Sequence, residues 1–144
     1  MNIEIREATI YDAAAITQLN KAEMGYDFPV ADTSTQLQVV LSSVHDKVFV
    51  AVIADTVVGY IHANDYNLLY HLPMKNITGI AVSKTYRRMG IGTALIAAVE
   101  NWAKETGATG IRLVSGAERK NAHEFYRHYG FDTGKEQLNF KKQI

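Results

Sequence analysis

The chain has 144 residues, 47% of them apolar, enough to build a buried core of single-domain size. Its 15 basic and 15 acidic residues cancel to a formal net charge of zero, so it lacks the one-signed field of a nucleic-acid-binding or membrane-surface protein. Cysteine is absent, which excludes disulfides, thiolate metal sites and a cysteine nucleophile.

At the N-terminus, Ile3 and Ile5 alternate with polar neighbours and predict a short strand. The same stretch lacks the apolar block of a secretory leader, and no apolar run approaches the ~20 residues of a membrane span. A soluble cytoplasmic protein without membrane contact is the expectation. Asp12 opens a helix to about residue 24, in which Ile16, Leu19 and Glu23 recur at helical spacing. Residues 25–32 read as a loop containing Pro29. Thr33 or Ser34 can then cap a second helix, with Leu37, Val40, Leu41 and Val44 on one face. Residues 47–53 and 57–63 are β-branched and apolar, and the Ala54-Asp55-Thr56 link between them reads as a hairpin turn. Residues 66–75 read as an irregular connection, followed by a strand over 76–82. The segment 92–106 predicts a helix with Leu95, Ile96, Val99 and Trp102 on its apolar face, stopped by Gly107. A buried-type strand over 111–114 and a short helix over 121–129, stopped by Gly130, come next. Phe131 and residues 138–140 are expected to close the sheet. The order βααβββαβαββ mixes hairpins with crossovers, which predicts a mixed α/β sheet in a single domain over residues 1–144.

Arg87-Arg88-Met89-Gly90-Ile91-Gly92-Thr93 carries the most chemistry. A helix N-terminus bears partial positive charge and normally disfavours cations, yet Lys84, Arg87 and Arg88 gather there. An anion held between them and the free N–H groups of the first turn accounts for this, with glycines letting the backbone come close. A dinucleotide fold would need a small residue where Leu95 stands and an acidic residue about 20 positions on. A P-loop would need Gly-Lys-Ser/Thr, which does not occur. The phosphate belongs to another kind of ligand.

Arg87-x-x-Gly90-x-Gly92, following Ile80-Ala81-Val82, resembles the acetyl-CoA pyrophosphate loop of the GNAT N-acetyltransferase family. The segment from Asn121 through Tyr126 to Gly130-Phe131 resembles that family's Asn-x-x-x-x-Tyr-x-x-x-Gly-Phe block, and Arg6-Glu7-Ala8-Thr9 with Asp12 resembles its opening. The resemblance implies a twisted, mostly antiparallel mixed sheet of six to seven strands, flanked by about four helices and splayed where the cofactor binds. It also implies acetyl transfer from acetyl-CoA to a primary amine by direct attack in a ternary complex, with no metal. The backbone of Met89, Gly90, Ile91, Gly92 and Thr93 would hold the pyrophosphate, helped by Arg87 and Arg88. Ile80, Ala81 and Val82 would pair with the pantetheine amides. Asn121 would bond the cofactor or cap its own helix. Tyr126 would donate a proton to the departing thiolate, and the Val82 N–H would stabilise the oxyanion.

Many family members carry a Glu on the strand before the loop, where this chain has Thr78, Gly79 and Ile80. A water relay, Glu23, His62, Asp65 or His71 could serve as base instead. Tyr26, Phe28, Tyr66, Tyr70 and His71 are candidates for the acceptor pocket, the acceptor being a small-molecule or peptide amine. Leu68, Leu69, Tyr70 and Leu72 offer a patch for a homodimer. His123 and His128 are five apart and share no helix face, so no metal is expected. Two other readings stay open: a transferase of longer acyl groups, and an acyl-CoA sensor of the same fold.

Overall fold

The structure, a computed structural model, describes residues 2–144. The chain divides into two compact units, Met1–Leu113 and Val114–Ile144.

The first unit holds a five-stranded sheet in the order β1-β2-β3-β4-β5: β1 (Glu4–Glu7), β2 (Asp46–Ile53), β3 (Thr56–Tyr66), β4 (Met74–Val82) and β5 (Ile111–Leu113). The first three pairings are antiparallel and the last is parallel, so the sheet is mixed and mostly antiparallel, as expected. The expected count of six to seven strands is corrected to five among the described residues. Phe131 and residues 138–140 form no strand. Alternation nominates a strand but does not supply a partner, and Leu138 and Phe140 stay 82% and 87% exposed.

Helix α1 (Ala13–Met24) follows a turn capped by Thr9, in a capping box closed by Asp12, and ends at Gly25 in the left-handed region (φ +74°). Helix α2 (Val30–Leu41) starts earlier than Thr33 or Ser34 would place it. Pro29, extended at φ −61°, sets the entry, and Thr33 lies inside the helix with its hydroxyl donating back to the Pro29 carbonyl. The β2–β3 hairpin turns on Ala54 and Asp55, both at positive φ (47° and 65°), as a two-residue primed turn demands.

Helices α1 and α2 cover one face of the sheet, where Ile16, Leu19 and Leu37 pack on Val48, Val50 and Tyr60. Helix α3 (Ile91–Glu105) covers the other with Ile91, Leu95, Ile96, Val99 and Trp102. It lies so near β3 that a Cβ on Gly59 would sit 3.2 Å from Ile91 Cγ2 and 3.1 Å from the Ala81 carbonyl. Glycine suits that approach, since a side chain there would push its neighbours by a few tenths of an ångström.

Two one-residue bulges break the ladders. One shifts register between Ala51 and Val52, and the other leaves Thr78 as the extra residue of β4, between the pairs Gly79–His62 and Ile77–Ala63.

Arg6 anchors the turn before α1 through two hydrogen bonds to Asp12, 2.8 and 2.9 Å. Asp12 is 4% exposed, and burial alone would raise its pKa. The Arg6 guanidinium and the Thr9 N–H outweigh that and hold it below the usual value. A depressed carboxyl adds stability above its unfolded pKa and loses it as pH falls through the folded one. Stability is therefore expected to drop as pH falls below about 4, the ordinary carboxyl range. Asp12→Ala should cost about 2 kcal/mol at neutral pH and remove that contribution to the acid slope. This is less than a fully buried pair, because the Arg6 side chain is 36% exposed. Urea melts of both proteins at pH 3 to 7 check it.

The second unit contains α4 (Lys120–Tyr129), ended by Gly130 at φ +129°. Phe125, Tyr126, Tyr129 and Phe131 form an aromatic cluster, with the Tyr126 ring 5.4 Å from Phe125 and 5.9 Å from Phe131.

Candidate active site

The segment between β4 and α3 is built to present backbone N–H groups. Arg88 and Gly90 both sit at positive φ (65° and 81°), with Arg87 extended, which turns amides of the loop toward one side. Gly90 is the N-cap of α3 and no side chain caps that end. The first-turn N–H groups of Ile91, Gly92 and Thr93 thus lack the usual Ser, Thr or Asp partner, a geometry suited to an anion. Glu23 braces the loop from α1: one carboxylate oxygen accepts from Arg87 at 2.9 Å, the other from the Lys84 N–H at 3.0 Å. Arg87 therefore spends part of its donor set inside the protein, while Arg88 is fully turned out and exposed.

Strand β4 runs on past its pairing with β5. Their pairing covers only Lys75, Asn76 and Ile77, so beyond Ile77 the outer edge of β4 is unpaired by any strand among the described residues. The bulge at Thr78 bends the strand where the pairing stops. The Ser83 N–H donates to the Val58 carbonyl on the β3 side at 2.8 Å. Because successive strand N–H groups point to opposite edges, those of Val82 and Ile80 face the open edge, and Ala81 faces β3.

On the α1–α2 face lies a cleft of about 180 Å³, walled by Asn20 and Ile16 from α1, Gln36 and Val40 from α2, Phe28 from the loop between them, and Tyr60 and His62 from β3. Burial pushes the Tyr60 phenol up to about 12, with the Asn20 hydrogen bond acting the other way, so it stays a neutral donor, 2.5 Å from Asn20 Oδ1. His62 Nε2 lies 2.8 Å from Asp46 Oδ1, and its Nδ1 lies 2.8 Å from Thr78 Oγ1.

The acetyltransferase (GNAT) family model matches residues 13–131. The chain belongs to the GNAT acetyltransferase family. Across its length it is similar to a Stenotrophomonas maltophilia protein named aminoglycoside N(6')-acetyltransferase type 1, at 31% identity over 97% of this chain and 93% of that one. Two solved structures share the GNAT fold. One is AAC(6')-Iy with a CoA-linked bisubstrate analogue, at TM-score 0.88 and 19% identity, both chains fully covered. The other is AAC(6')-Ih from Acinetobacter baumannii, at TM-score 0.86 and 20% identity over 99% of both chains. The family match runs through both compact units.

As a GNAT enzyme the protein is an acyl-CoA-dependent N-acetyltransferase, and acetyl-CoA is its co-substrate. The residues fit that molecule. An uncapped helix end with αL residues before it suits a diphosphate, and the open edge of β4 suits the amides of a pantetheine arm. No helix among the described residues is long and apolar enough to cross a membrane.

Of the GNAT motif residues in the second unit, Asn121 is the second residue of α4, and the N-cap is Arg119 without a side-chain bond, so the capping role read for Asn121 is not realised. Burial pushes the Tyr126 phenol above its ordinary value, with the positive charge of Arg119 opposing, so it is protonated at neutral pH.

Of the aromatic candidates for the acceptor pocket, only Phe28 lines the cleft. Tyr26 stands 62% exposed in the α1–α2 loop. Tyr66 ends β3 beneath the Arg112 guanidinium, 4.4 Å away. Tyr70 is 84% exposed and His71 bonds the Leu72 carbonyl in the β3–β4 connection, where Leu69 is also open. Among the carboxylates considered as bases, Glu23 is held by the loop, and Asp65 is held by Lys75 and His45. Burial opposes ionisation of Asp65, but those two partners keep its pKa low. Sequence reasoning missed Asn20, Gln36 and Tyr60, and it gave His62 no partners. No local signal marked the last, because a bulge in the β2–β3 ladder is what brings positions 46, 48 and 62 to one face.

Proposed function

We propose that this GNAT enzyme transfers acetyl from acetyl-CoA to a primary amine of a small, aminoglycoside-class molecule, by direct attack in a ternary complex. The observation that carries the donor half is the uncapped start of α3 beside the unpaired edge of β4. The backbone of residues 88–93 would take the diphosphate with Arg88 adding a charge-assisted bond, and Ile80 and Val82 would present N–H groups to the pantetheine arm. The Val82 N–H, directed to the open edge, would also receive the negative charge that develops on the thioester oxygen. No cysteine is present to form an acyl-enzyme, which favours direct transfer. Tyr126, at the family's tyrosine position, would protonate the leaving sulfur.

The acceptor half rests on the full-length relative named for aminoglycoside N(6')-acetylation and on the cleft. The cleft offers amide, hydroxyl and phenol groups for a hydroxylated ring, with Phe28 as an apolar wall. The exposed carboxylates Asp27 and Asp32 flank Phe28 in sequence and supply local negative charge that the neutral total conceals.

Thiol release from acetyl-CoA tests this against an aminoglycoside with a 6'-amino group and its 6'-hydroxyl counterpart. Turnover is expected with the first and not the second. Calorimetric binding of acetyl-CoA without release of thiol on any amine would refute transfer and leave binding alone.

A further inference from the structure

The reaction needs somewhere for the amine's proton to go, and β4 carries no carboxylate near the open edge. The structure instead aligns three side chains from three adjacent strands on the cleft face. Asp46 opens β2, His62 sits within β3, and Thr78 is the bulged residue of β4. Both imidazole nitrogens are engaged, Nε2 with Asp46 Oδ1 and Nδ1 with Thr78 Oγ1, each at 2.8 Å. An ionised carboxylate only accepts, so Asp46 fixes the proton on Nε2 and leaves the Nδ1 lone pair facing the threonine hydroxyl. Thr78 is exposed, and it is the first residue of β4 past the end of its pairing with β5. His62 itself lines the acceptor cleft.

We infer that Thr78, His62 and Asp46 form the proton-removal path for the acceptor amine, with Thr78 touching the amine and His62 as the terminal base. The inference rests on the acetyl-transfer reading above. As the amine nitrogen bonds the thioester carbon, its proton passes to Thr78 Oγ1 while the threonine's own proton passes to His62 Nδ1. The carbon–sulfur bond breaks, and sulfur takes a proton from the general acid. His62, now an imidazolium paired with Asp46, returns its proton to water, and the general acid regains one from water. The amine loses one proton and the thiol gains one, so the sum closes. The other groups walling the cleft from α1 and α2, Asn20, Thr33 and Gln36, do not ionise. The titratable groups facing His62 are Asp46 and the Tyr60 phenol.

The geometry is that of a hydroxyl–imidazole–carboxylate relay, which is recognised by roles rather than by sequence order. General-base assistance of this kind contributes roughly 100-fold or more. His62 accepts through the Nδ1 lone pair that faces Thr78 Oγ1.

The test compares pH–rate profiles of the wild type, His62→Gln, Thr78→Val, Thr78→Ser and Asp46→Asn, with acetyl-CoA affinity and Tm measured for each. His62→Gln should lower kcat by about 100-fold while acetyl-CoA affinity holds. Thr78→Val should act alike and Thr78→Ser should restore most of the rate. Asp46→Asn should shift the His62 tautomer in ¹⁵N spectra, a change that needs no turnover to see. A kcat of His62→Gln within about threefold of wild type overturns the relay alone. A wild type that binds acetyl-CoA but acetylates no amine overturns the transfer reading, and the relay with it.

Discussion

Tyr126→Phe is expected to lower kcat about 100-fold while leaving the Kd for acetyl-CoA within roughly twofold. The substitution removes one oxygen and keeps the ring, so the contacts with Phe125 and Phe131 that hold it in the aromatic cluster persist. Burial raises the Tyr126 pKa, which keeps the phenol protonated across the neutral range and makes it a donor rather than a base. The sign follows. Wild-type kcat should fall at high pH, as the phenol loses its proton, and that basic limb should vanish in the phenylalanine variant. Steady-state rates from about pH 6 to about 11.5, past the ordinary tyrosine range, with calorimetry for acetyl-CoA, check both parts. A variant with unchanged kcat would mean that the thiolate takes its proton from water.

Leu95→Ala should cost about 3 kcal/mol and lower Tm by about 10 °C. Leu95 is fully buried on the first turns of α3, beside Ile91 and against the Gly59 backbone of β3. That tight approach leaves little freedom to collapse around a deleted isobutyl group. The cavity would open just inside the helix end that holds the phosphate loop, so acetyl-CoA affinity should fall with stability. Saturating acetyl-CoA should recover part of the lost Tm, since it binds the folded form. Thermal melts with and without the thioester measure both effects. A cost below about 1 kcal/mol would show that α3 is not clamped to the sheet as its burial implies.

The parts of the fold legible in the sequence were those decided locally. The Ala54-Asp55 turn, the apolar face of α3 and the glycine stops at Gly107 and Gly130 are short-range signals, and the structure has them where the pattern puts them. The start of α3 at the Arg87–Thr93 segment was legible for the same reason: cations, glycines and a helix start are contiguous. Errors came where local preference met a competing one. Thr33 and Ser34 are good caps, yet Pro29 begins α2 sooner with its fixed φ, and the last strand of the pattern finds no partner.

The candidate relay shows what a linear pattern cannot hold. Between Ile53–Thr56 and Ala51–Gly59 the β2–β3 ladder takes up one extra residue, and only then does His62 stand opposite Val48. Without that bulge His62 would oppose Lys47 and point to the α3 face, because side chains alternate every residue. The bulge at Thr78 then turns a hydroxyl toward the imidazole.

The amino-acid sequence by itself determined the family and the glycine-bearing turn that starts α3, because residues adjacent in the chain carry both. Which side chains face one another across the sheet was decided only by tertiary pairing, since a one-residue slip, invisible along the chain, exchanges the two faces.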